Sequence, residues 1–170
     1  MSWIETIPYE QAEGRLKVLY DRIVGPNGNV DNIMMAHSLR PHSMEGHMHL
    51  YKYVLHHSAN TVPKAFLETI GVLVSVLNGC GYCVEHHFQG LRRLLGDDDR
   101  ANAIRNAFEA GTADAVFDAK DLSAVHYAEA LTRDPAGMTP GLVDAMRTAG
   151  WSDGEILEIN QVTAYFSYAN

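Results

Sequence analysis

The sequence predicts an all-α fold, a compact multi-helix domain, and three observations carry that prediction. Glycine, proline and asparagine divide the 170 residues into segments of ordinary helix length. Within those segments, apolar residues recur three and four positions apart. Only one run, Ile70 to Leu77, is apolar and β-branched enough to compete as a strand, and its length and proline-led start favour a buried helix.

About nine helices follow from this punctuation. Tyr9 to Val24 forms the first, closed by Gly25-Pro26-Asn27-Gly28. Asp31 or Asn32 caps a short helix through Leu39, and Pro41 opens the next, to about His57. Thr61 and Pro63 start a helix to Leu77, with Ile70, Leu73, Val74 and Leu77 on one side. Asn78-Gly79 breaks it, and a further helix runs from Cys80 to Leu95 with Val84, Phe88, Leu91 and Leu95 as its apolar stripe. The Asp97-Asp98-Asp99 run reads as a solvated loop before a helix from Asp99 to Ala110. Ala119–Thr132, Pro140–Ala149 and Asp153–Ala169 complete the set. Thr139-Pro140 is a cap with a first-turn proline, and Ser152 with Glu155 makes a capping box. The last segment is still patterned as a helix at Asn170, which leaves room for a continuation beyond it.

Length and composition fit one soluble domain spanning residues 1–170: 46% of residues are hydrophobic and 20% charged. The net charge is -8, with no lysine and arginine cluster dense enough to track phosphates, so nucleic acid is excluded as a partner. No stretch approaches the roughly 20 apolar residues of a membrane span, and the N-terminus lacks a signal-peptide pattern. The expected compartment is the cytosol, where structural disulfides are rare. The chain has only two cysteines, Cys80 and Cys83. A disulfide between them would close almost no loop and add little stability, so chemistry is the better reason for the pair.

The segment from Glu68 to His87 carries that chemistry. On a helix, Cys80, Cys83 and His87 stand at i, i+3 and i+7 and share one face. Cys80 sits at the helix start, where unpaired N–H groups and the dipole favour a thiolate. In a continuous helix, Glu68 would lie roughly 18 Å from Cys80. A hairpin at Asn78-Gly79 instead puts Glu68 about 13 Å down one arm and His87 about 10 Å down the other, so the two can meet. The result is a relay in which Glu68 orients His87 or a water, which in turn withdraws the thiol proton. An unperturbed thiol near pKa 8.5 is only about 3% thiolate at pH 7. Lowering it to about 7 takes roughly 2 kcal/mol, within reach of a histidine and a helix N-terminus. The second cysteine then converts a sulfenic acid into a disulfide before it over-oxidises.

The pattern Glu68-x11-Cys80-x2-Cys83-x3-His87, with its flanks Val74 to Gly79 and Val84 to His86, resembles the alkylhydroperoxidase D and carboxymuconolactone decarboxylase superfamily, particularly the peroxidase-related branch. The likeness extends over most of the chain, including Glu158 to Asn170. It implies an all-helical thiol-dependent hydroperoxide reductase, assembled as a trimer or hexamer. It also implies that Cys83 is the peroxide-reactive thiol, deprotonated through His87 and Glu68. Cys80 would be the more accessible thiol, which receives electrons from a dithiol reductant such as a lipoyl or thioredoxin-like protein. No cofactor beyond the redox-active disulfide is implied. Tyr82 departs from the pattern, because the best-characterised peroxidases of the family carry histidine there.

Other readings of the same residues stay open. Cys80, Cys83 and His86 or His87, with Glu68, also form a zinc-ligand set, although no second compact Cys/His pair accompanies them. A decarboxylase-like lyase and an oligomeric binding protein that retains the site without turnover are the functional rivals. Outside the segment, His42, His47 and His49 read as exposed or interface residues, and His56 and His57 as partners of a helix dipole. His126 reads as a core or interface residue, while Tyr82 and Phe88 pack or line a pocket. Met34, Met35, Met44 and Met48 read as core or subunit-contact filler.

Overall fold

A computed structural model describes residues 2–170, and among them all regular structure is helical. Nine α-helices are α1 (Gly14–Asp21), α2 (Asn32–Ala36), α3 (Pro41–His56), α4 (Lys64–Leu77), α5 (Gly81–Leu95), α6 (Asp98–Ala110), α7 (Ala119–Arg133), α8 (Pro140–Thr148) and α9 (Asp153–Ala169). Single 3-10 turns sit at Tyr9–Gln11, Ala113–Ala115 and Pro135–Gly137. The segment Ile70 to Leu77 is helical within α4, as its length predicts. The chain divides into two compact units, Met1–Lys52 and Tyr53–Asn170.

The first unit has its own small core of Leu16, Leu19, Tyr20, Val30 and Met44. Met34, Met35 and Met48 pack around it, the gap-filling use of methionine. Its first helix differs from the sequence expectation of Tyr9 to Val24. Ala12 and Glu13 are extended, so one 3-10 turn precedes a shorter α1. Tertiary bonds override propensity here: the Tyr20 hydroxyl donates to the Ile7 carbonyl at 2.8 Å, and the Tyr9 hydroxyl donates to Asp21 Oδ1 at 2.7 Å. The helix through Leu39 also stops early, at Ala36, because His37 adopts φ -90 and ψ 0. His47 corrects another expectation. It is buried against the His37 ring, centroids 4.7 Å apart, and burial with the nearby His37 charge lowers its pKa to about 4.

The second unit is organised on α4. Residues Phe66 through Ser75 are all buried, and α4 packs against α5, α7 and α9. Its N-terminal end is tied down from far along the chain: Glu158 accepts from the backbone N–H of Thr61 at 2.9 Å and of Val62 at 2.8 Å. Those bonds hold the entry to α4, whose N-cap, Pro63, has no capping side chain. The Ser152–Glu155 capping box is present at the start of α9. Thr139 occupies the N-cap of α8 without a side-chain bond. The acidic run departs from the loop reading. Asp97 caps α6 by accepting from Arg100 N–H at 2.9 Å, and Asp98 and Asp99 lie in its first turn, where the dipole favours carboxylates.

Candidate active site

The hairpin between α4 and α5 begins with local backbone chemistry. Asn78 is the last residue near helical geometry, and Gly79 takes φ +68, a left-handed value that glycine adopts at little cost. The Gly79 N–H then donates to Val76 O at 3.1 Å, and the Cys80 N–H to Ser75 O at 2.9 Å. This is a Schellman closure, and it makes Cys80 both the residue that finishes α4 and the N-cap of α5. Its sulfur accepts from the Cys83 N–H at 3.4 Å.

Cys80 and Cys83 are joined as a disulfide with Cα atoms 5.3 Å apart, and both are half-buried. The structure therefore presents the oxidised form of the pair, at the N-terminus of a 15-residue helix. His87 follows Cys83 by one turn on α5.

The same hairpin brings Glu68 and His87 together. His87 Nδ1 lies 2.8 Å from Glu68 Oε2, and Glu68 is only 4% exposed. A carboxylate oxygen accepts, so Nδ1 is the donor in this bond and Nε2 is the ring nitrogen that faces other partners. The arrangement thus supplies an imidazole with a fixed tautomer one turn from a cysteine. Gly90 allows the close approach of the two arms: a Cβ there would lie 3.3 Å from the Glu68 carboxyl carbon. The Phe166 ring of α9 meets His87 edge to face, centroids 4.4 Å apart and planes 83° apart.

Several neighbours escaped the sequence reading. Phe166 was unmarked among apolar residues of α9. His56, expected as a dipole partner, is half-buried; burial lowers its basicity, with smaller effects from Lys64, Glu68 and His87. Tyr82 is 47% exposed, whereas Phe88 is buried under the Arg105 guanidinium at 5.0 Å. His126 is exposed rather than in a core, with Nε2 3.4 Å from Asp114 Oδ1. Among the described residues, no group of three or more His, Cys, Asp or Glu side chains is arranged to hold a metal ion. No helix among them is long and apolar enough to cross a membrane. A cavity of about 430 Å³ opens beside Phe66, Phe117 and Trp151, and none of the four candidate residues lines it.

The fold recurs in crystal structures of other proteins. An uncharacterised peroxidase-related protein from Silicibacter sp. TM1040 superposes with a TM-score of 0.71 at 23% identity, covering 90% of this chain and 75% of that one. An alkylhydroperoxidase AhpD core protein from Ralstonia eutropha JMP134, also uncharacterised and peroxidase-related, gives 0.71 at 21% identity, covering 91% and 76%. A protein of unknown function from Agrobacterium tumefaciens, provisionally named an AhpD antioxidant defence protein, gives 0.65 at 21% identity, covering 78% and 86%. No curated protein matches this chain. Residues 41–130, which include the whole α4–α5 hairpin, match the model of one family, and on that match the chain belongs to the carboxymuconolactone decarboxylase family.

Proposed function

We propose that this protein is a cytosolic thiol-dependent hydroperoxide reductase, and one observation carries the reading. A half-buried Cys80–Cys83 disulfide opens α5, and a Glu68-held imidazole sits one turn further along the same helix. In the reduced form, His87 takes the Cys83 proton, and the negative Glu68 stabilises the imidazolium. The Cys83 thiolate attacks one peroxide oxygen. An S–O bond forms, the O–O bond breaks, and the leaving alkoxide takes the proton from His87 as an alcohol. Cys83 is now a sulfenic acid, oxidised by two electrons. The Cys80 sulfur displaces its hydroxyl as water and forms the disulfide. A dithiol donor, of the lipoyl or thioredoxin-like class, attacks that disulfide, forms a mixed disulfide and leaves oxidised, returning two electrons and both protons. No other cofactor enters this cycle. A homo-oligomer, trimer or hexamer, is part of the same proposal.

The test is dithiol oxidation driven by an organic hydroperoxide. Cumene hydroperoxide should drive catalytic oxidation of dihydrolipoamide, and Cys83→Ser should abolish it. Absence of peroxide-dependent dithiol oxidation by the fully reduced protein would overturn the reading. The family's decarboxylase members support a second reading, a lyase acting on a lactone carboxylate. Such a reaction needs no thiol cycle, so it would survive replacement of both cysteines.

A further inference from the structure

We propose that the last turn of α9 belongs to this site, with Phe166 and Asn170 as separate positioning residues for its two halves. The inference rests on the proposed reading only in naming His87 as base and the cysteines as the redox pair. Phe166 lies in the last turn of α9, and Asn170, four residues on, is the C-cap of that helix.

Phe166 acts on the base. It is 1% exposed and meets the His87 ring edge to face at 4.4 Å. The Glu68 bond fixes one ring nitrogen but leaves the imidazole free to swing about that bond. A perpendicular aromatic ring removes the swing and keeps Nε2 aimed in one direction. Gly71 makes room for it: a Cβ at that position would stand 2.4 Å from Phe166 Cζ. A helix interior ordinarily disfavours glycine by about 1 kcal/mol relative to alanine. Here the missing side chain is what lets α9 reach the histidine.

Asn170 acts on the cysteine turn. Its Nδ2 donates to Ser75 Oγ at 3.2 Å, and its Oδ1 accepts from Asn78 Nδ2 at 3.1 Å. The buried Ser75 hydroxyl donates in turn to Gly71 O at 2.8 Å, while Ser75 O accepts the Cys80 N–H. One carboxamide therefore ties Ser75 in the last turn of α4 to Asn78 at its C-cap, just before the turn from which Cys80 emerges. It uses a donor and an acceptor at once, a combination that aspartate and alanine both lack. A turn held in this form keeps the two sulfurs at bonding range and favours the disulfide over the dithiol.

The two assignments predict opposite fingerprints, both readable without any peroxide. The first readout is the rate of Cys83 alkylation by iodoacetamide across pH, in protein carrying Cys80→Ser. The second is the thiol–disulfide equilibrium of the cysteine pair in dithiothreitol buffers. Phe166→Leu should slow alkylation at pH 7 several-fold and move its pH midpoint upward, leaving the equilibrium within about twofold; Gly71→Ala, by displacing the ring, should do the same. Asn170→Ala and Asn170→Asp should make the disulfide about three- to tenfold easier to reduce while leaving the alkylation profile in place. If each variant moves both readouts together, the effect is general loosening and the assignment fails; it fails equally if neither readout moves. Circular dichroism confirms folding of each variant. Because neither readout uses hydroperoxide, loss of the peroxidase reading and loss of this one are distinguishable.

Discussion

The two arms of the α4–α5 hairpin follow opposite plans. α4 is buried along ten consecutive residues, Phe66 to Ser75, and Glu68 is the one carboxylate among them. α5 buries only Val84, Phe88 and Leu91, leaving Cys80, Cys83 and His87 half-buried. The difference separates two jobs. An orienting carboxylate works best where water cannot compete for its oxygens, because the local dielectric is low. On the proposed function, the thiols have to be reached by both a peroxide and a bulky reductant, which suits the arm with an open face. The hairpin brings the buried Glu68 on one arm within 2.8 Å of His87 on the other.

Replacing groups on each arm tests that division. The largest effect falls on the open arm: Cys83→Ser should lower peroxide-driven turnover by about 1,000-fold or more, with little change in the urea midpoint. On the buried arm, Glu68→Ala should destabilise by about 2–4 kcal/mol, since it opens a cavity and strands the His87 N–H; urea unfolding checks this. Glu68→Gln preserves the shape and should instead slow Cys83 alkylation about tenfold, through a higher thiol pKa. Unchanged alkylation in that variant would remove Glu68 from proton transfer.

Smaller changes sharpen the comparison. Gly90→Ala gains about 1 kcal/mol of helix propensity but crowds a carboxylate pinned by His87, so no net stabilisation is expected and alkylation should slow. Glu158→Ala frees the Thr61 and Val62 N–H groups and should cost about 1 kcal/mol, with thiol reactivity unaltered. Smallest of all, Glu85→Ala removes the ion pair between exposed Glu85 on α5 and Arg105 on α6 and should shift stability by less than about 1 kcal/mol.

What the sequence revealed was set by local rules. The Asn78-Gly79 break, the helical rise and the i, i+3, i+7 spacing sufficed to bring Glu68 opposite His87, because the hairpin arms are adjacent in the chain. The Ser152–Glu155 capping box was legible for the same reason. Contacts between distant segments were not. Phe166 meets His87, and Asn170 meets Ser75, across a separation that no local pattern marks. Gly71 carries no mark in the sequence, and only the Phe166 ring lying against it gives the missing side chain a purpose. His47 is buried against a histidine from another segment, which its own position on α3 does not mark, and the break at Ala12-Glu13 goes with tyrosine bonds to distant partners. The Asp97 run was misread because a capping carboxylate and a solvated one look alike in composition.

The central claim is that Cys80 and Cys83 are a peroxide-reactive pair. A thiol count on the fully reduced protein, before and after one equivalent of an organic hydroperoxide, tests it most directly. Rapid loss of both thiols to an intramolecular disulfide, reversed by a dithiol, is the predicted result. Persistence of both thiols while the hydroperoxide remains unconsumed would contradict it.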